Sequence, residues 1–203
     1  MATFASGELT AYVKPHRDLH TMKDFECRRL RNGLAADMLR FTGASAAAEL
    51  VLSHTQQETH PGLFDALVTT LDQLEDADAA DRAGAVLVGL WTITEAFGFA
   101  PQIDGCIRCG EVLEDTDVGR FDLAAGGVRC PACSEGAAGP RVGPGARGQL
   151  RALLGGEHPP DLSHTRQHLG LLEDFLAYHV VSKPLKSLRF LTDLFPREAG
   201  VAT

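Results

Sequence analysis

The sequence predicts an α+β fold, mostly α: a short β-hairpin, a helical body, and a four-cysteine ribbon inserted between the helices of that body. Three observations predict it. Leu9, Ala11 and Val13 alternate with polar neighbours, the period of a strand with one apolar face. From Leu30 onward the apolar residues recur at threes and fours, the period of a helix. Two Cys-x-x-Cys pairs, Cys106/Cys109 and Cys130/Cys133, are separated by twenty residues and lie between two helical stretches.

The elements follow in order. Residues 7–25 read as a hairpin, with Lys14-Pro15-His16-Arg17-Asp18 as the loop and Leu19 to Phe25 as the return strand. A lone hairpin is marginal in water, so it needs a cover of further strands or a helix. Leu30, Leu34, Met38 and Phe41 then fall on one helical face, and Ala44–Leu52 continues as a second helix. Leu63–Leu74 is a third, with Pro61 suited to a first helical turn. Asp81–Phe97 is a long helix, apolar on nearly all sides and therefore the most buried, ended by Gly98 as a glycine cap. After the cysteines, 136–148 is rich in Gly, Ala and Pro and reads as an extended, mobile connector. Helical pattern resumes at Gly148–Leu154 and at Thr165–Val181, where Leu169, Leu172, Leu176 and His179 share a side. Pro184 opens a last helix through Leu194, with Ser182 or Lys183 near its cap.

The cysteine spacing carries the chemistry. One Cys-x-x-Cys turn offers two thiolates to a single ion, and two facing turns complete the tetrahedral sulfur shell that Zn²⁺ accepts. Gly110 follows the first pair, where a residue without a side chain can turn backbone N–H groups toward sulfur. Arg120–Leu123 and Val128–Cys130 read as short strands joined across Gly126-Gly127. The pattern is a zinc ribbon, holding one structural Zn²⁺ through Cys106, Cys109, Cys130 and Cys133. A disulfide framework fits poorly, because Cys27 is left over and no export segment is legible. A redox reading of Cys130-Pro131-Ala132-Cys133 would leave Cys106 and Cys109 without a role. Four thiolates leave no open position for a catalytic water, and the His-x-Glu of a zinc deaminase is absent from the sequence. His164/His168 and His16/His20 share a spacing of four, but without a His-Glu-x-x-His pattern they read as ordinary histidines.

Composition sets the remaining bounds. The chain has 203 residues, 44% of them hydrophobic, enough for one good-sized core or two small domains. No apolar run approaches the length needed to span a bilayer, and reduced cysteines suit the cytoplasm. The net charge of −8 is unevenly spread: residues 1–41 carry seven Lys and Arg against five Asp and Glu, residues 42–82 one against eight. Residues 83–138 carry three against eight and 139–190 seven against four, so two basic ends flank an acidic middle. Such a distribution suits a dipolar surface and equally the solvated faces of ordinary helices. Lys14, Arg17, Lys23, Arg28, Arg29 and Arg31 form the densest basic stretch and are the candidate phosphate contacts. Lys183, Lys186 and Arg189, spaced by three beside Leu185, Leu188, Phe190, Leu191 and Leu194, would put a cationic rim along an apolar face of the last helix. That surface would suit an acidic peptide with a hydrophobic end. Neither a nucleophile–base constellation nor a Gly-x-x-x-x-Gly-Lys-Ser phosphate loop is present, so no enzyme is expected.

The run Phe97-Gly98-Phe99-Ala100-Pro101-Gln102-Ile103, followed by Cys106-x-x-Cys109-Gly110, Phe121, Gly126-Gly127 and Cys130-x-x-Cys133, resembles the zinc-bearing branch of the bacterial recombination mediator family RecO. Gly7-Glu8-Leu9 and Leu19-His20-Thr21 with a helix from Arg28 to Phe41 look like that family's passage from an OB barrel into its helical domain. Tyr178-His179-Val180 and Leu185 to Leu191 look like its closing helices. The resemblance implies a non-enzymatic protein of recombinational repair, cytoplasmic and nucleoid-associated. Such a protein binds single- and double-stranded DNA, anneals complementary strands, and works with RecR. It assists RecA in loading onto DNA covered by single-stranded DNA-binding protein. It also implies a division into 1–26, the closing part of an OB-fold whose first strands are missing, and 27–203, a helical domain with the ribbon inserted at 104–135. The alternative is a zinc-ribbon interaction scaffold with weak or no DNA affinity.

Overall fold

A computed structural model describes residues 3–17, 19–54, 60–136 and 138–195. Strands β1 (Ser6–Tyr12) and β2 (Thr21–Arg29) form an antiparallel hairpin in which Leu9 faces Phe25 and Tyr12 faces Thr21. Register shifts lie between Ser6 and Gly7 and between Thr10 and Ala11. Asp18 of the expected loop lies outside the described residues. The alternation at Leu9 is real, but among the described residues no third strand pairs with this sheet, and Leu9, Tyr12 and Met22 stay exposed.

The expected helix over 28–41 does not form. Strand β2 runs to Arg29, a 3-10 turn spans Asn32–Ala36, and α1 begins only at Met38 and continues unbroken to His54. Of the four residues placed on one face, Leu34 is buried while Leu30, Met38 and Phe41 are exposed. Their spacing was a coincidence of period across a strand end, a turn and a helix start. Asp37 sets the true start: its carboxylate accepts from the N–H groups of Leu39 and Arg40, both at 3.0 Å, as an N-terminal cap does.

Helix α2 (Pro61–Asp76) opens on proline, and α3 (Arg82–Ala96) buries Val86, Leu87, Leu90, Trp91 and Ile93, as its all-round apolar sequence predicts. Gly98 takes a φ of 87° just past its end. Helices α2 and α3 approach closely because Gly89 lies against the buried Thr70: a Cβ there would clash with the Thr70 Cγ2. Strands β3 (Gly119–Asp122), β4 (Gly127–Arg129) and β5 (Arg141–Val142) form an antiparallel sheet in the order β4-β3-β5.

The 136–148 stretch is therefore no free connector. It contributes β5 and then the first turn of α4 (Pro144–Leu154), which starts four residues earlier than the sequence pattern indicates. Helix α5 (Thr165–His179) buries Leu169, Leu172 and Leu176. Helix α6 (Lys186–Leu194) begins after Leu185 rather than at Pro184, so neither Ser182 nor Lys183 stands at its cap. Its first N–H groups are met by a remote side chain: Glu49 of α1 accepts from Lys186 and Ser187 N–H, each at 2.9 Å. Ribbon and helices share one core, with Phe121 and Val128 fully buried and Phe175 bridging Phe121 (6.3 Å) and Trp91 (5.4 Å).

Candidate metal centre and basic surfaces

The two cysteine turns are built differently. In the first, Gly110 N–H donates to Cys106 C=O (2.8 Å) and Cys106 N–H to Glu111 C=O (2.7 Å), and Gly110 adopts a φ of 77° to close the turn. The second is a 3-10 turn over Pro131–Cys133, closed by Cys133 N–H on Cys130 C=O (3.1 Å). Ile107 N–H donates to Val128 C=O (2.9 Å), which joins the first turn to β4.

The four Sγ atoms all lie within 4.8 Å of one another, and Cys109 and Cys130 sulfurs are 3.9 Å apart. Tetrahedral bonds of about 2.3 Å to zinc put ligand sulfurs about 3.8 Å apart, whereas a disulfide needs about 2.05 Å. All five cysteines are free thiols, and these four could hold a metal ion. Their electrostatics point the same way. Burial pushes the Cys106 thiol up, but backbone N–H groups of Cys130, Cys109 and Arg108 directed at its sulfur prevail and bring it down to about 6. Cys133 is pushed up to about 12 by its bond to Cys130, by burial and by the crowding of the other sulfurs. Cys109 is also raised, the backbone bond from Glu111 being outweighed by Cys106 and by burial. One thiolate is favoured, and four together require a cation.

The basic stretch divides sharply. Lys14 and Arg17 are exposed in the hairpin loop, and Lys23, the residue left unpaired at the register shift, has its Nζ 5.9 Å from the centroid of the Tyr12 ring. Arg28 lies between Glu8 (3.0 Å) and Glu26 (3.2 Å). Arg29 reaches Asp72 (2.8 Å) and Glu75 (3.4 Å) of α2. Arg31 is 2% exposed: its Nε donates to Asp72 Oδ1 at 2.7 Å and its Nη1 to Phe4 C=O (2.9 Å) and Ser6 Oγ (3.1 Å). Arg29 and Arg31 thus fasten the hairpin to α2, a role that sequence reasoning missed because Asp72 and Glu75 lie some forty residues away. The structure brings Lys14, Arg17 and Lys23 to one open hairpin and does not bring Arg31 to the surface.

The family described as "Recombination protein O C terminal" matches residues 35–189. The DNA repair protein RecO of Desulfatibacillum aliphaticivorans is 35% identical over 194 residues, covering 91% of this chain and 74% of that protein. Its counterpart in Anaeromyxobacter dehalogenans strain 2CP-C is 33% identical over 177 residues, covering 82% and 67%. The chain belongs to the RecO family.

The family match thus takes in the helical body and the ribbon together. Beyond the cysteines, this RecO chain exposes Lys183, Lys186 and Arg189. Lys183 precedes α6, so only Lys186 and Arg189 lie on the helix. Leu185, Leu188 and Leu191 pack into the core rather than forming an apolar surface, while Phe190 remains 66% exposed. Phe190 lines a groove with Met38, Phe41, Thr42 and Leu194 between α1 and α6. Among the described residues no helix is long and apolar enough to cross a membrane.

Proposed function

We propose that this chain is a non-enzymatic mediator of DNA repair and recombination. It binds single- and double-stranded DNA, anneals complementary strands and, with RecR, assists RecA loading onto single-stranded DNA covered by single-stranded DNA-binding protein. RecO family membership across body and ribbon is the observation that carries the reading. The ribbon's metal is one zinc held by Cys106, Cys109, Cys130 and Cys133. Four soft thiolates at tetrahedral spacing suit it and close its shell, so it supplies a cross-link rather than a Lewis acid.

DNA lies across the hairpin, read here as the closing strands of an OB-type unit ahead of the helical domain. Lys14, Arg17 and Lys23 reach its phosphates, and exposed Tyr12 offers a stacking face. Arg28 contributes only if it exchanges its exposed carboxylate partners for phosphate; Arg29 and Arg31 act indirectly, by holding the hairpin. The ribbon is a poor DNA surface, because Glu111, Glu114 and Asp115 are exposed beyond the first cysteine pair. Lys183, Lys186 and Arg189, exposed on and just before α6, are the surface for the acidic tail of single-stranded DNA-binding protein. The test is annealing of complementary strands coated with that protein. Acceleration by this chain, lost on deleting the partner's tail, supports the mediator; no acceleration at any concentration overturns it. The internal pairing of Arg28, Arg29 and Arg31 favours a second reading, an interaction scaffold with weak DNA affinity.

A further inference from the structure

Arg147 is the least expected residue of the interior. It lies in the first turn of α4 and is 1% exposed. A cation is disfavoured there twice, by burial and by the positive end of the helix dipole. Among the described residues no carboxylate pairs with it. Its guanidinium instead donates to three main-chain carbonyls of a single loop: Nη1 to Asp117 (3.1 Å), and Nη2 to Glu114 and, at 3.5 Å, to Leu113. Its Nε has no partner. That loop lies between Cys109 and β3, inside the ribbon. Leu113 N–H on Asp104 C=O (3.1 Å), Glu114 N–H on Asp117 Oδ2 (2.9 Å) and Asp117 N–H on Glu114 C=O (3.0 Å) hold it in shape.

We propose that Arg147 is the positioning residue that couples metal occupancy of the ribbon to the packing of α4 on the helical body. The coupling rests on the reading that the four cysteines hold a metal. Cys106 and Cys109 sit at one end of the strip that runs through Glu111 and Val112 into the Leu113–Asp117 carbonyls. When the metal leaves and that strip loosens, the carbonyls disperse and a buried cation is left without acceptors. Helix α4 can then keep Arg147 buried and unsatisfied or release its first turn toward water. The reciprocal holds: binding at the cysteines is strengthened by whatever Arg147 contributes to holding the loop. Partners outside the ligand shell commonly change metal affinity by roughly 10- to 100-fold.

The experiment uses the full chain as wild type, Arg147→Met, which keeps length without charge, and Arg147→Lys. Metal content is measured first, then zinc affinity by competition with a chromophoric chelator. Hydrogen exchange of 144–154 is followed with and without metal, with 61–76 as reference. In the wild type, stripping the metal should speed exchange in 144–154 and leave 61–76 unchanged. Arg147→Met should bind zinc at least roughly 10-fold more weakly, with exchange in 144–154 no longer responding to metal; Arg147→Lys should fall between. A folded Arg147→Met with unchanged zinc affinity would overturn the coupling while leaving the metal reading intact. So would wild-type 144–154 exchange that ignores the metal, an arm that decides even if the variant fails to fold. Wild-type protein that holds no metal overturns both readings.

Discussion

Replacing Arg31 by Met tests whether the hairpin is fastened by one buried arginine. Arg31 has a fully enclosed side chain and ties Asp72 of α2 to the backbone of Phe4 and to Ser6, at 2.7, 2.9 and 3.1 Å. Breaking a buried ion pair costs about 3–5 kcal/mol when the abandoned partner stays buried. Here Asp72 is 33% exposed and keeps Arg29 at 2.8 Å, and the Arg31 Nη2 has no partner to lose. Methionine preserves most of the packing. The remaining loss is about 2 kcal/mol, roughly a 30-fold rise in the open population. It should be confined to the hairpin, which touches the body chiefly through these arginines and the Phe4–Phe41 contact at 5.5 Å. Hydrogen exchange resolved by peptide should speed across 6–29 and leave 82–96 unchanged. Unchanged exchange in 6–29, or equal loosening of α3, would refute the reasoning. The pH dependence follows. Burial raises the Asp72 carboxyl, but the bonds and charges of Arg31 and Arg29 outweigh it and hold it below its ordinary value. A lowered carboxyl stabilises the fold above its unfolded pKa, about 3.9, and that contribution disappears as pH falls through the folded value.

Three further outcomes follow from the packing. Cys109→Ser should release the ribbon's metal and loosen 104–135 while α3 stays folded, as metal analysis and hydrogen exchange would register; retention of a full metal equivalent would contradict it. Glu49→Ala should remove the cap of α6 and cost about 1 kcal/mol in a denaturant melt. Although burial opposes it, the Ser187 and Lys186 N–H groups hold the Glu49 carboxyl below its ordinary value, so the difference between wild type and variant should shrink on acidification below about pH 4. Gly89→Ala should destabilise the protein by about 1–3 kcal/mol through its clash with Thr70, although alanine is the better helix former, so a raised melting temperature would be the contrary result.

What was legible in the sequence was local. The spacing of the cysteines, Gly110 after the first pair, Pro61 at a helix start and the unbroken apolarity of α3 each express a constraint within a few residues, and each reappears in the structure. What was illegible was settled over long separations. Nothing near Arg29 and Arg31 in the sequence announces their partners, Asp72 and Glu75 of α2. The cap of α6 comes from Glu49 in α1, so no residue next to α6 could announce it. The Gly/Pro-rich stretch looked mobile by composition, yet pairing of Arg141–Val142 with β3 and the burial of Arg147 fix it. Helical periodicity misled at 30–41 because four apolar residues spanned three different conformations.

We propose that nucleic acid is held on the hairpin by Lys14, Arg17 and Lys23. The direct measurement is single-stranded DNA affinity across a salt series for wild type and for a variant with all three changed to alanine. Each phosphate contact on a single strand contributes about 0.7 to the slope of log affinity against log salt. Binding should weaken as salt rises, and the variant should bind less tightly with a slope lower by about 2. Wild-type binding indifferent to salt, or a folded variant with the same affinity and slope, would contradict it.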